Sequence, residues 1–233
     1  MILKKSIEEV SETELSQIKS ILKPFYVDIE SLVERELKLN NFIYLYQDKA
    51  SHILGFFMVN FPQFNKTGNN FIYLGLSCAS KHKKNIGFSL YAKFTLDAYQ
   101  LEKEFKTKIY LYGTTATSTL LRLLTKVWSN LRPSLEGEYS QNDKVLSEKI
   151  KPLLNYKSNA DDHPFVLKKH ASKTLYSPAE KVRINAYAIK NKIRLFEKIG
   201  VCEEEGDRLL VILEIPDSTK IKEFQKMLNT NEI

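Results

Sequence analysis

Three runs rich in β-branched and aromatic residues crowd the stretch from Asn41 to Ser80: "NFIYLYQ", "HILGFFMVNFP" and "FIYLGLSCAS". Runs of this length and make-up predict strands, and the polar turn Gln47 to His52 between the first two predicts a hairpin. "PQFNKTGNN", with Pro62, Gly68 and several Asn, is a loop. The third run, Phe71 to Ser80, is apolar almost throughout, which predicts burial on both faces. A sheet laid down this early commits the rest of the chain to covering it.

The flanking sequence supplies those covers. "MILKKSIEEV" predicts a first strand, and Ser11 with Glu14 is a capping-box signature. Leu15, Ile18, Ile21 and Leu22 follow at helical spacing, Pro24 ends that helix or lies just past its end, and Ile29, Leu32, Val33 and Leu37 repeat the pattern. Further on, Leu90, Tyr91, Phe94, Ala98 and Leu101 form an amphipathic stripe. "TKIYLYGTT" predicts a strand ending near Gly113, and "ATSTLLRLLTKVW" a helix capped by Thr117 or Ser118. Residues 132–164 are rich in turn formers, with a short helix in "KVLSEKIKPLLNY" and a short strand in "FVLKK" beyond. One helix is expected from Pro178 to Ile199, with Pro178 in its first turn and Gly200 as its stop. "DRLLVILEIP" predicts a last strand, followed by a helix over Ser218 to Leu228. The expectation is a single α/β domain with a mixed, mostly antiparallel central sheet flanked by helices.

Composition narrows the function. Of 233 residues, 43% are hydrophobic, enough for a sizeable core. Lys and Arg exceed Asp and Glu by 35 − 28 = 7, which suits an anionic ligand, nucleic acid or a phosphorylated cofactor. Aromatics beside lysines on strands fit a base-stacking platform, but no RNP-like pattern is present and nucleic-acid binding is not expected. No apolar run approaches the roughly 18 residues of a membrane helix. The start, "MILKKSIEEVSETEL", carries acids early and lacks the apolar core of a signal peptide. A cytoplasmic protein without a membrane partner is the expectation. Cys78 and Cys202 form no CxxC pair and read as two buried free thiols. His52, His82, His163 and His170 show no paired spacing, "DDHP" reads as a solvated loop, and no metal is expected. GxSxG, the hydrolase elbow, does not occur.

One stretch stands out chemically. "KHKKNIGFSL", Lys81 to Leu90, lies where a predicted strand hands over to a predicted helix. The first amides of a helix have no internal partner and carry the positive end of its dipole, so they bind anions. Gly87 lets the backbone approach a ligand, Ser89 is small, and Lys83 and Lys84 add full charges. A phosphate or pyrophosphate satisfies all of this; a glycine-bearing turn with solvated lysines accounts for the same residues. The run is neither a P-loop nor GxGxxG.

Lys84-Asn85-Ile86-Gly87-Phe88-Ser89 resembles the acyl-CoA-binding motif of the GNAT acyltransferase superfamily: a basic residue or Gln, two of any kind, Gly, one of any kind, then Gly or Ala. Lys and Ser stand here in place of commoner residues. The order of elements around the motif is also similar to that family over most of residues 1–131 and 181–215. The resemblance implies acetyl-CoA or another acyl-CoA as co-substrate and an amine as acceptor. It implies a splayed sheet gripping the pantetheine arm, with main-chain groups of Leu76 to Ala79, Cys78 among them, pairing with it like an added strand. It places the pyrophosphate on the amides of Asn85, Ile86, Gly87, Phe88 and Ser89, and the outer phosphate near Lys81, Lys83 or Lys84. Residues 133–178 have no counterpart in a minimal member and read as an insertion. The family often uses a Tyr as general acid, on the helix that here runs from Ala116 to Trp128; that helix has no Tyr, and "LFEKIGV" offers only Phe196, which donates no proton. Tyr112 and Tyr139 are the candidate catalytic substitutes. A non-catalytic acyl-CoA-binding or interaction module on the same fold is the alternative.

Overall fold

A computed structural model describes residues 1–64, 70–80, 85–157, 162–171 and 176–230. In chain order the elements are β1 (Ile2–Ser6), α1 (Glu12–Leu22), α2 (Ile29–Leu39), β2 (Phe42–Gln47), β3 (Ile53–Asn60), β4 (Asn70–Ala79), α3 (Ile86–Phe105), β5 (Ile109–Thr115), α4 (Ser118–Val127), β6 (Ser129–Arg132), α5 (Gln141–Ile150), β7 (Val166–Leu167), α6 (Pro178–Lys190), α7 (Leu195–Ile199), β8 (Arg208–Glu214) and α8 (Ser218–Thr230). The chain divides into two compact units. One holds residues 1–23, 32–111 and 215–233, the other 24–31 and 112–214.

The first unit carries the antiparallel run β1–β2–β3–β4. Its registers align Lys4, Tyr44, Phe57 and Ser77 in one row across four strands. Tyr44 and Phe57 are fully buried, and α3 packs on this row with its predicted stripe. Tyr91 and Phe94 meet Phe57 edge-on at 4.6 and 5.3 Å between ring centroids, and the Tyr44 hydroxyl donates to Asp97 Oδ2 at 2.7 Å. Edge-to-face rings add to burial energy because the positive edge of one meets the negative face of the other. On α1, Ile18 and Leu22 are buried, and Gln17 Oε1 accepts from the Ile53 amide at 2.7 Å. The expected capping box forms: the Glu14 amide donates to Ser11 Oγ, and the Ser11 amide to Glu14 Oε2. At the start of β5, Tyr110 stacks on Phe71 of β4.

β4 departs from expectation. It is buried on both faces only as far as Leu74, and Gly75 to Ala79 are half-buried. Phe57 faces Ser77 but Val59 faces Leu74, so Gly75 and Leu76 together stand against Met58 alone. Such a bulge inserts one extra residue, bends its strand and re-aims the residues beyond it. Both cysteines are likewise half-buried rather than buried.

In the second unit β8 is buried from Arg208 to Leu213 and pairs antiparallel with β6 and with β7. Thr117 caps α4, its hydroxyl accepting from the Leu120 amide, and Trp128 is buried. β6 is not expected from the sequence: "SNLR" lacks strand formers. It is held by Arg132, whose guanidinium reaches Glu214 at 2.6 Å and Asp143 at 2.5 Å. The single helix expected from Pro178 to Ile199 is two. Lys192 takes the left-handed conformation (φ 54°), and the Ile193 amide closes back on the Ala188 carbonyl at 3.0 Å, the wrap that ends a helix. Gly200 (φ 73°) stops α7 as predicted.

Candidate functional site

β4 and the start of α3 both lie in the first unit. Ile86, the first residue of α3, is buried and packs on Gly55, which faces Ala79 across the ladder. A Cβ on Gly55 would stand 2.5 Å from Ile86 Cγ2, so only glycine admits the helix this close. One turn further, Ser77 Oγ and the Tyr91 hydroxyl share a hydrogen bond of 2.5 Å, and burial pushes the Tyr91 phenol up to about 12. The last residues of β4 therefore lie beside the first turn of α3.

That turn is open. Side-chain oxygens of Ser11, Asp28, Thr117, Ser140, Ser177 and Asp217 accept from first-turn amides of α1, α2, α4, α5, α6 and α8. Asn85, left-handed at φ 67° and placed before α3, makes no such bond. The Ser89 amide is the first used by the helix itself, donating to the Asn85 carbonyl at 2.9 Å. The amides of Ile86, Gly87 and Phe88 precede the intrahelical ladder. The side chains here are not free for a ligand: Ile86 and Ser89 are buried, and Phe88 meets Phe224 of α8 edge-on at 5.7 Å. This turn offers backbone and dipole. Lys83 and Lys84, with Lys81, lie outside the described residues.

On β4 the main chain alternates. The Ser80 amide donates to the Leu54 carbonyl of β3 at 2.8 Å, so with a period of two Cys78 also faces β3, while Ser77 and Ala79 face away. The Cys78 thiol contacts the Ile21 carbonyl of α1 at 3.9 Å. Leu76, at the bulge, gives its amide to a carboxylate: Glu36 Oε2 at 3.2 Å. The sequence motifs do not single out Glu36, Asn40 or Gly75, which together frame the bulge. The available signal is a helical stripe, Leu32, Val33, Glu36, on which an acid occupies a core position.

The two tyrosines are in the second unit. Tyr112, on β5, is buried, which pushes its phenol up to about 12. Tyr139 is exposed in the loop before α5 and packs on His163 and Phe165. The same unit has an open cavity of about 1000 Å³ between α6 and α7, with Phe196 and Tyr176 in its wall. Among the described residues no group of three or more His, Cys, Asp or Glu is placed to hold a metal, and no helix is long and apolar enough to cross a membrane.

No protein-family model and no curated protein matches the chain. Among solved structures it is similar to the ribosomal-protein-S18-alanine N-acetyltransferase from Escherichia coli, with 10% identity, 94% of this chain and 96% of that one covered, and a TM-score of 0.41. It is similar to an acetyltransferase of Bacillus subtilis in complex with CoA (11% identity, 92% and 98% covered, TM-score 0.40). A Desulfovibrio desulfuricans protein assigned as a GNAT-family acetyltransferase is a third such match (10% identity, 93% and 100% covered, TM-score 0.41). At these identities and TM-scores the matches are resemblances and carry no functional inference.

Proposed function

We propose that this chain is a GNAT-like, acyl-CoA-dependent N-acyltransferase of the cytoplasm, with acetyl-CoA as its first candidate co-substrate and an amine as acceptor. The observation that carries the reading is the first turn of α3, left without a side-chain cap beside the last residues of the bulged strand β4. In this reading the amides of Ile86, Gly87 and Phe88 hold the pyrophosphate. The main chain of Ser77 and Ala79, directed away from β3, pairs with the pantetheine arm. Lys83 and Lys84 meet the outer phosphate. The acceptor amine attacks the thioester carbonyl; a C–N bond forms, the C–S bond breaks, the proton shed by the amine nitrogen passes to water, and the departing thiolate takes a proton. Tyr112 or Tyr139 supplies the thiolate's proton, or water does. The single-domain reading, with residues 133–178 as a family-specific insertion, belongs to this proposal.

The experiment is a thermal-shift titration with acetyl-CoA and with dephospho-CoA. A ligand that binds only the folded state raises the melting point with the logarithm of its concentration over its Kd. A shift with acetyl-CoA, weaker with dephospho-CoA and lost in Gly87→Glu while that variant melts like the parent, is expected. No shift at millimolar CoA overturns the reading. The absence of Tyr from α4 favours a second one, acyl-CoA binding without turnover; release of free thiol in the presence of amines separates the two.

A further inference from the structure

We infer that Glu36 is a positioning residue for the acyl-CoA: it locks the bulge of β4 and so sets which main-chain groups that strand presents. The inference rests on the function proposed above. Glu36 is 2% exposed. Its carboxylate is fully engaged, Oε1 accepting from Arg35 at 2.8 Å, Oε2 from the Leu76 amide and from Asn40 Nδ2, each at 3.2 Å. Asn40 Nδ2 also donates to the Glu36 carbonyl at 2.8 Å. These acceptors fix the orientation of the Asn40 amide, since turning it over would set its oxygen against two others. The fixed orientation leaves Asn40 Oδ1 buried with no hydrogen-bond partner. That oxygen lies against Gly75, where a Cβ would stand 2.3 Å away.

A lone buried acceptor is costly, and here it is pressed against the residue next to the one Glu36 holds. Gly75 and Leu76 are the two residues that share Met58 as partner. Glu36 of α2 and Asn40, just past its end, thus contact both halves of the bulge, one through a hydrogen bond and one through close approach. The bond from the Leu76 amide to the carboxylate selects this position for the extra residue over its neighbours. A slip by one residue would exchange the groups facing β3 with those facing away, and Ser77 and Ala79 would turn out of reach of a pantetheine arm. A buried carboxylate on the apolar stripe of α2 is explained by this task.

The test compares wild type, Glu36→Ala, Glu36→Gln and the surface control Glu34→Gln, using amide hydrogen exchange at Leu76 and calorimetric titration with CoA. Glu36→Ala is expected to speed Leu76 exchange and to weaken CoA binding by about tenfold or more, the scale of one lost charge-assisted hydrogen bond. Glu36→Gln retains an acceptor oxygen and is expected to restore both to within about threefold. Glu34→Gln is expected to change neither. If Glu36→Ala fails to fold, Glu36→Asp takes its place; it keeps the charge, withdraws it by one methylene and is expected to lose CoA affinity all the same. Unchanged CoA affinity in the folded Ala or Asp variant, with wild type binding normally, overturns the inference and leaves the proposed function standing. Wild type that fails to bind CoA overturns both.

Discussion

In the first unit, strands of five, six, eight and ten residues align Lys4, Tyr44, Phe57 and Ser77 in one row, and α3 lays its rings on that row. In the second, β8 carries a strand of four residues and one of two, and charged side chains fasten the pieces. Arg132 ties β6 to Glu214 and to Asp143 of α5. Asp207 accepts from Lys168 Nζ at 2.8 Å and from the amides of Lys169 and Cys202 at 3.0 Å. Lys181 meets Glu203 at 3.1 Å. Long strands with a shared row bury apolar area continuously and need few polar ties. Short strands leave backbone groups outside the ladder, and Asp207 takes up two of them, the amides of Lys169 and Cys202.

The comparison breaks most visibly at Phe57. Phe57→Ala removes the ring on which Tyr91 and Phe94 converge, and is expected to cost about 4 kcal/mol by chemical denaturation. A loss under about 1 kcal/mol would mean that the row does not hold the first unit. Asp207→Asn is the counterpart, with an expected loss of about 2 kcal/mol because one carboxylate serves three donors. Its pH dependence sharpens the contrast. Burial alone would raise the Asp207 carboxyl, but the bonds from Lys168 and from the Lys169 and Cys202 amides outweigh it and hold the group below the usual carboxylate range. A depressed folded pKa gives stability that is complete above the unfolded value and is lost as pH falls through the folded one. The urea midpoint of wild type should therefore drop below about pH 4, and that of Asp207→Asn should fall less. Equal slopes would remove Asp207 from the account. Least is expected of Glu34→Gln: Glu34 and Lys38 pair on α2 with side chains 69% and 72% exposed, and the denaturation midpoint should not change measurably.

The same contrast governs how much of the molecule is legible in its sequence. Strand runs, the Ser11–Glu14 box, the Thr117 cap and the Gly200 stop are local signals, and each element lies near its expected place. β6 carries no such signal, because its place depends on Arg132 reaching Glu214, 82 positions away in sequence. The break at Lys192 is hidden because a lysine takes a left-handed conformation that usually marks glycine or asparagine. At the candidate site, the start of α3 and the end of β4 are legible from the turn chemistry around Gly87. The bulge is not, because Gly75 sits in a run whose composition is that of an unbroken strand. Its cause comes from Glu36 of α2 and from Asn40 just past the end of that helix.

Phe224 on α8 lies against Phe88 at the start of α3, and α8 belongs to the first unit although the whole of residues 112–214 precedes it. On the ribosome, then, the sheet of the first unit emerges early and waits for a cover that is synthesised only after the second unit. For that interval the face of α3 that will receive α8 is uncovered, and with it Phe88. Fusions that slow synthesis after residue 214, or that hold the chain back before α8 is free, should raise aggregation more than equal delays placed elsewhere.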